Sequence, residues 1–139
     1  LSEITDPRTY RFWIEEHVRF ADLDPLGHAN NGAIGAYFEA ARVALFDTAG
    51  RPLGAGGLSV VLARIAIDFR GELRHGARLR VGARATRLGR TSVALSSAVF
   101  EGDRCAASSE AVCVLFDLAS RRPAELPEDL RARLLEIAV

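Results

Sequence analysis

Asp22-Leu23-Asp24-Pro25-Leu26-Gly27-His28-Ala29-Asn30-Asn31 is a polar, glycine-bearing stretch, and directly behind it the chain turns apolar from Gly32 to Thr48. That junction decides the fold. Asn30 or Asn31 can cap a helix, because a short side-chain oxygen accepts from the N–H groups that a first helical turn leaves unpaired. Gly50 is placed to end the helix, with Pro52 just beyond. Only Glu39, Arg42 and Asp47 carry charge in between, while Ile34, Tyr37, Phe38, Ala41, Val43, Ala44, Leu45 and Phe46 cover most of the circumference. A helix apolar nearly all round is a buried helix, and one this long spans about 25 Å.

The segments on either side supply the cover. Upstream, Tyr10 to Ala21 reads as a strand, with Ile14, Val18 and Phe20 on one face and Glu15, His17 and Arg19 on the other. Downstream of a Gly-rich loop (Gly54, Gly56, Gly57), Val60 to Arg70 alternates, with Val61, Ala63, Ile65, Ile67 and Phe69 against Arg64, Asp68 and Arg70. Arg78 to Leu88 alternates as well, with Leu79, Val81, Ala83 and Ala85 against Arg78, Arg80 and Arg84. Thr91 to Phe100 and Arg104 to Phe116 follow, joined by Leu88-Gly89-Arg90 and Glu101-Gly102-Asp103, connections as short as hairpins require. Pro127 opens a short amphipathic helix through Ile137, with Leu130, Leu134 and Ile137 on one face. One long helix needs one sheet to cover it, and strands of about 11 residues reach some 35 Å, enough to curl around it. The expectation is an α+β layout resembling a hotdog fold, a long central helix wrapped by a five-stranded antiparallel sheet, as a single domain over 1–139.

Composition narrows the function classes. The hydrophobic fraction is 49% and the charged fraction 26%, which suits a globular chain. No apolar run reaches the roughly 18 residues a membrane span needs, and the polar stretch Leu1 to Arg11 lacks the apolar core of a signal peptide. A formal net charge of zero gives no pull toward nucleic acid or anionic membrane. All 18 basic residues are Arg, which excludes a lysine Schiff base and a P-loop lysine. Cys105 and Cys113 fall on one strand about 26 Å apart, too far to bridge. Two lone thiols point to a reducing cytoplasm, and no Cys/His cluster has zinc-site spacing.

The loop before the helix carries the chemistry. Asp22 and Asp24 lie just past a strand, and a helix N-terminus with its unpaired N–H groups and partial positive charge follows. Such groups can hold an oxyanion, and a carboxylate beside them can attack a carbonyl or activate water. The same residues also serve ordinary capping and turn chemistry. Asp22 is suited to bracing the loop, and His28 to either substrate contact or a loop hydrogen bond. His17 and His75 read as structural or solvated. Glu39 on the helix can pair with Arg42 three residues on or act as a reserve catalytic carboxylate. Arg64, Arg78, Arg80, Arg84, Arg87 and Arg90 form a basic set from which phosphate contacts can be drawn.

Phe20-Ala21-Asp22-Leu23-Asp24-Pro25-Leu26-Gly27-His28-Ala29-Asn30-Asn31, followed by Tyr37-Phe38-Glu39-Ala40-Ala41-Arg42, resembles the signature of the 4-hydroxybenzoyl-CoA thioesterase-like family, in particular its acyl-CoA thioesterase branch. The resemblance continues more loosely through Ile65-Ala66-Ile67-Asp68-Phe69 and Gly89-Arg90-Thr91-Ser92. It implies hydrolysis of an acyl-CoA thioester, with Asp24 as nucleophile or general base and the backbone N–H of Asn31 as oxyanion donor. It further implies CoA contact at Arg90, Thr91 and Ser92, no metal or other cofactor, and a homodimer joined sheet edge to sheet edge, or a homotetramer made of two such dimers, with the site at the subunit interface. Two positions depart from the family pattern: Gly32-Ala33-Ile34 stands where a Tyr is common, and Asn31 where one branch has His. A hotdog enoyl-thioester hydratase or dehydratase using Asp24 and His28, and a non-catalytic acyl-CoA-binding module, are the alternatives.

Overall fold

The run behind the capping asparagines does form the central helix: α1 spans Asn31–Thr48. The structure, a computed structural model, describes residues 2–50 and 55–139. Asn30 is the cap, its Oδ1 accepting from the Ala33 N–H at 2.7 Å. A side chain at Gly32 would crowd that oxygen, since a Cβ there would lie 3.3 Å from it. Gly50 takes a positive φ of 85° just past the helix, as a stop requires. The stop signal Pro52 and the loop glycine Gly54 lie outside the described residues.

The strands are β1 (Phe12–His17), β2 (Leu58–Phe69), β3 (Arg78–Leu88), β4 (Ser92–Glu101), β5 (Arg104–Asp117) and a two-residue β6 (Arg122–Pro123). They form one antiparallel sheet in the order β1-β3-β4-β5-β2, with β6 paired to β5. This is the expected hotdog layout, a curled sheet around a long helix. Helix α1 packs on β1, β3 and β4, burying Ile34, Tyr37, Phe38, Ala41, Leu45 and Phe46 against Leu79, Val81, Ala83, Val93, Leu95 and Val99. A second helix, α2 (Glu128–Ala138), buries Leu130, Leu134 and Ala138 and lies against β3. No helix among the described residues is long and apolar enough to cross a membrane. Cys105 and Cys113 both stand on β5 as free thiols.

Three expectations are corrected. The first strand ends at His17, and Phe20–Asp22 is a 3-10 turn that leaves Phe20 78% exposed rather than in the core. In β2 a bulge between Leu62 and Arg64 inserts one residue, which swaps inward and outward faces beyond it. Val60 before the bulge and Ile67 after it therefore both pack on the core, while Val61 is exposed. Finally, Glu39 and Arg42 make no ion pair among the described residues: Glu39 is exposed and Arg42 is buried.

The opposite face of the sheet carries a smaller cluster. Tyr10, Trp13 and Phe100 meet ring to ring at 5.6–6.1 Å, and the Arg80 guanidinium lies 4.3 Å from the Trp13 ring centre. Gly82 sits beneath Tyr10, where a Cβ would come within 2.6 Å of the ring.

Candidate functional site

The loop that carries the two aspartates is built on itself. Leu23 and Ala29 bridge in antiparallel fashion, the Asp24 N–H donates to the His28 carbonyl at 2.8 Å, and the Gly27 N–H donates to the Asp24 carbonyl at 3.0 Å. Gly27 closes this turn at a φ of +83°, where a side chain would be strained. The loop is anchored outside itself by Ala29 N–H to the Leu73 carbonyl and Val18 N–H to the Ala77 carbonyl, so it rests on the segment that joins β2 to β3.

The two carboxylates are treated differently. Asp22 Oδ2 accepts from the Tyr37 hydroxyl at 2.7 Å, the Arg19 N–H at 3.0 Å and Arg19 Nε at 3.4 Å. Burial pushes the Asp22 carboxyl up, but those hydrogen bonds and the Arg19 charge outweigh it and hold it below its usual range. Burial, with the Asp22 charge beside it, pushes the Tyr37 hydroxyl far above its usual range, so this phenol stays a donor. Asp22 thus pins the loop to α1. Asp24 is half-buried, and only its Oδ1 is engaged, by the Leu26 N–H at 2.9 Å and the His28 N–H at 3.3 Å. Its Oδ2 takes no hydrogen bond among the described residues.

Four residues beyond Asp24, His28 Nε2 stands 3.2 Å from Glu72 Oε2. Glu72 is also 3.3 Å from Arg74 Nη2, and its carbonyl accepts from Arg104 Nη2 at 2.8 Å. Neither Glu72 nor Arg104 stood out in the sequence: they lie far along the chain from His28, in segments with no motif. Helix α1 begins at Asn31, and the N–H groups of Asn31 and Gly32 find no acceptor among the described residues. The fold therefore gathers an aspartate with one free oxygen, a histidine–glutamate contact and two open helix N–H groups at one end of α1.

Other candidates lie elsewhere. Arg78 at the start of β3 pairs with His17, beside the loop, whereas Arg90, Thr91 and Ser92 follow the far end of β3. That strand has 11 residues, so its two ends are about 33 Å apart. Arg90 is exposed and pairs with Glu125 at 3.0 Å. Glu39 lies eight residues into α1, about 12 Å from its start. His17 lines an open hollow with Glu15, Glu16 and Arg78, and His75 meets Phe20 edge-on at 6.0 Å. Two hollows of about 480 and 310 Å³ among the described residues are lined by residues other than Asp24, His28 and Asn31.

Comparison with known proteins gives this arrangement a context. The profile of the thioesterase-like superfamily matches residues 18–134. A thioesterase of Thermus thermophilus, solved in complex with coenzyme A and zinc, is 35% identical with a TM-score of 0.82, over 92% of this chain and 94% of that one. A Pseudomonas aeruginosa protein, PA5185, is 25% identical with a TM-score of 0.88, over 94% of each chain. A 1,4-dihydroxy-2-naphthoyl-CoA thioesterase of Synechocystis shares the fold at 20% identity and a TM-score of 0.81, over 91% and 96%. No curated protein sequence matches.

Proposed function

The chain belongs to the thioesterase-like superfamily and is a thioester hydrolase, and from that premise we propose that it hydrolyses an acyl-CoA through Asp24. The observation that carries this reading is the free Oδ2 of Asp24 in a loop that ends at open helix N–H groups. With Oδ1 tied to the loop backbone, Oδ2 is left uncommitted. In the general-base form it takes a proton from water as that water adds to the thioester carbonyl. The oxyanion that develops is met by the Asn31 N–H, in the field of the α1 N-terminus. The C–S bond then breaks, and the departing CoA thiolate takes the proton from Asp24. In the nucleophilic form Oδ2 adds to the carbonyl itself, expels the thiolate and leaves an acyl–aspartyl anhydride that water hydrolyses. His28, held by Glu72, lies in the same turn and would contact the substrate. No metal or other cofactor is needed for either form.

The same reading calls for two copies. Strand β2 is an edge strand of 12 residues, with Val61 38%, Leu62 44% and Phe69 50% exposed. A long apolar edge is a template for another strand. Antiparallel pairing of two β2 edges sets the copies end for end, which turns the Arg90-Thr91-Ser92 end of one toward the Asp24 end of the other. CoA bound along Arg90, Thr91 and Ser92 would then serve a site that one chain does not complete. The coenzyme A in the Thermus thermophilus relative supports a CoA ester as substrate.

A panel of saturated acyl-CoAs and enoyl-CoAs, followed for free thiol and for loss of the enoyl double bond, tests the reaction. Thiol release is the expected result. Hydration without thiol release would instead establish the hydratase reading, and binding without turnover the acyl-CoA-binding module.

A further inference from the structure

The groove between α1 and β2 holds a charge with no partner. Glu39, Arg42, Val43, Phe46, Val60 and Leu62 line a hollow of about 310 Å³. Arg42 is 91% buried, being 9% exposed, and its Nη1 has no hydrogen-bond partner. It makes no ion pair among the described residues, although Glu39 lies three positions away on the same helix. A buried cation without an anion is costly, and the groove opens on the edge of the sheet. Val43, Phe46, Val60 and Leu62 make its floor apolar, so an anion brought there is shielded from water.

We infer that a second copy of this chain fills the groove and that Arg42 pairs with the second copy's Glu39, reciprocally across a two-fold axis. The inference rests on the β2-edge homodimer of the proposed function and names what locks it. Three observations point the same way. A two-fold interface is self-complementary, so a patch bearing one exposed acid and one unpartnered base satisfies itself when doubled. Glu39 and Arg42 are the ninth and twelfth of the 18 residues of α1, so these opposite charges lie near the helix centre, where two antiparallel copies related by a two-fold axis would bring them opposite each other. The groove also continues onto β2 through Val60 and Leu62, immediately before the bulge at the strand's middle. Edge strands pair in many registers unless something fixes them. Two charge pairs flanking the axis fix one register, and with it the placement of one copy's Arg90 end against the other's Asp24.

The chain has no lysine, which makes a direct test available. Arg42→Lys keeps the charge and introduces the one side-chain amine. The variant is mixed as ¹⁴N and ¹⁵N protein, re-equilibrated and treated with a carbodiimide that joins amines to adjacent carboxylates. Mass spectrometry of the digest should then show a cross-link from position 42 to Glu39 containing one light and one heavy peptide. A cross-link formed only within one isotope, or none to Glu39, overturns the inference. Charge reversal gives an independent reading by analytical ultracentrifugation. Glu39→Arg, at an exposed position, should weaken dimerisation by roughly 30-fold or more. Mixing Glu39→Arg with Arg42→Glu should restore a heterodimer, because both cross pairs are then of opposite sign. Unchanged dimerisation of Glu39→Arg beside a dimeric wild type overturns this pairing alone; a wild type that stays monomeric overturns the edge pairing beneath it; the loss of thiol release in Asp24→Asn reads the role of Asp24 separately from both.

Discussion

Asp22 and Asp24 are two positions apart, yet the fold gives them separate tasks. Asp22 is tied by Arg19 and Tyr37, while Asp24 keeps one oxygen open. The sequence made both visible, because two acids, a glycine and two asparagines before an apolar helix are a readable signal. It did not make Glu72 visible, since its contact with His28 depends on the β2–β3 connection folding back onto the loop. Tyr37→Phe removes a hydrogen bond to a carboxylate and is expected to cost about 1.5–3 kcal/mol of stability, read by chemical denaturation. A pH dependence follows from the depressed Asp22 pKa. The unfolded carboxyl titrates near 3.8 and the folded one lower, so the unfolded chain takes up the proton first. The stabilisation is complete above about pH 5 and is lost as pH falls through 3.8 toward the folded value. Asp22→Asn should show a shallower loss of stability than wild type in that window; equal slopes would remove Asp22 from this role.

The elements show where periodicity reads true and where it fails. Helix α1 and the first part of strand β3 were legible because nothing interrupts their patterns before the register shift between Ala85 and Arg87: Leu79, Val81, Ala83 and Ala85 are all buried, as their alternation required. In β2 the same reading assigned Val61 to the core, because a period of two carried through a bulge comes out on the wrong face. The inserted residue leaves no mark in the alternation, since Val61, Ala63 and Ile65 are apolar on both sides of it. The Glu39–Arg42 pair failed for another reason. Spacing on a helix shows which side chains can meet, but packing drew Arg42 under the β2 edge and left Glu39 outside. Asn30→Ala should destabilise the protein by about 1 kcal/mol through loss of the cap, measured as a shift of the denaturation midpoint. Asn31→Ala should leave stability within about 0.5 kcal/mol of wild type, because Asn31 contributes its backbone N–H; a larger loss at Asn31 than at Asn30 would reverse that assignment.

Across one chain, the Asp24 carboxylate and the open N–H groups of α1 stand at one end and the Arg90 segment at the other. In the proposed dimer the open β2 edge would resolve the separation, because two chains joined end for end would bring the two halves to each site. Turnover per chain should therefore fall when the protein is diluted below its dimer dissociation constant. Val61→Arg, which puts a charge on the exposed edge, should give a monomer with the fold intact by circular dichroism and little thiol release. A monomer as active as wild type would contradict a shared site. Asp24 itself is tested by the rate of thiol release by Asp24→Asn on the best acyl-CoA substrate. Asn keeps the shape of the side chain and the Oδ1 contacts but removes the charge. The expected fall in kcat is about 10² to 10⁴-fold, with the thermal midpoint and dimerisation unchanged; a variant that folds, dimerises and releases thiol at the wild-type rate would remove Asp24 from catalysis.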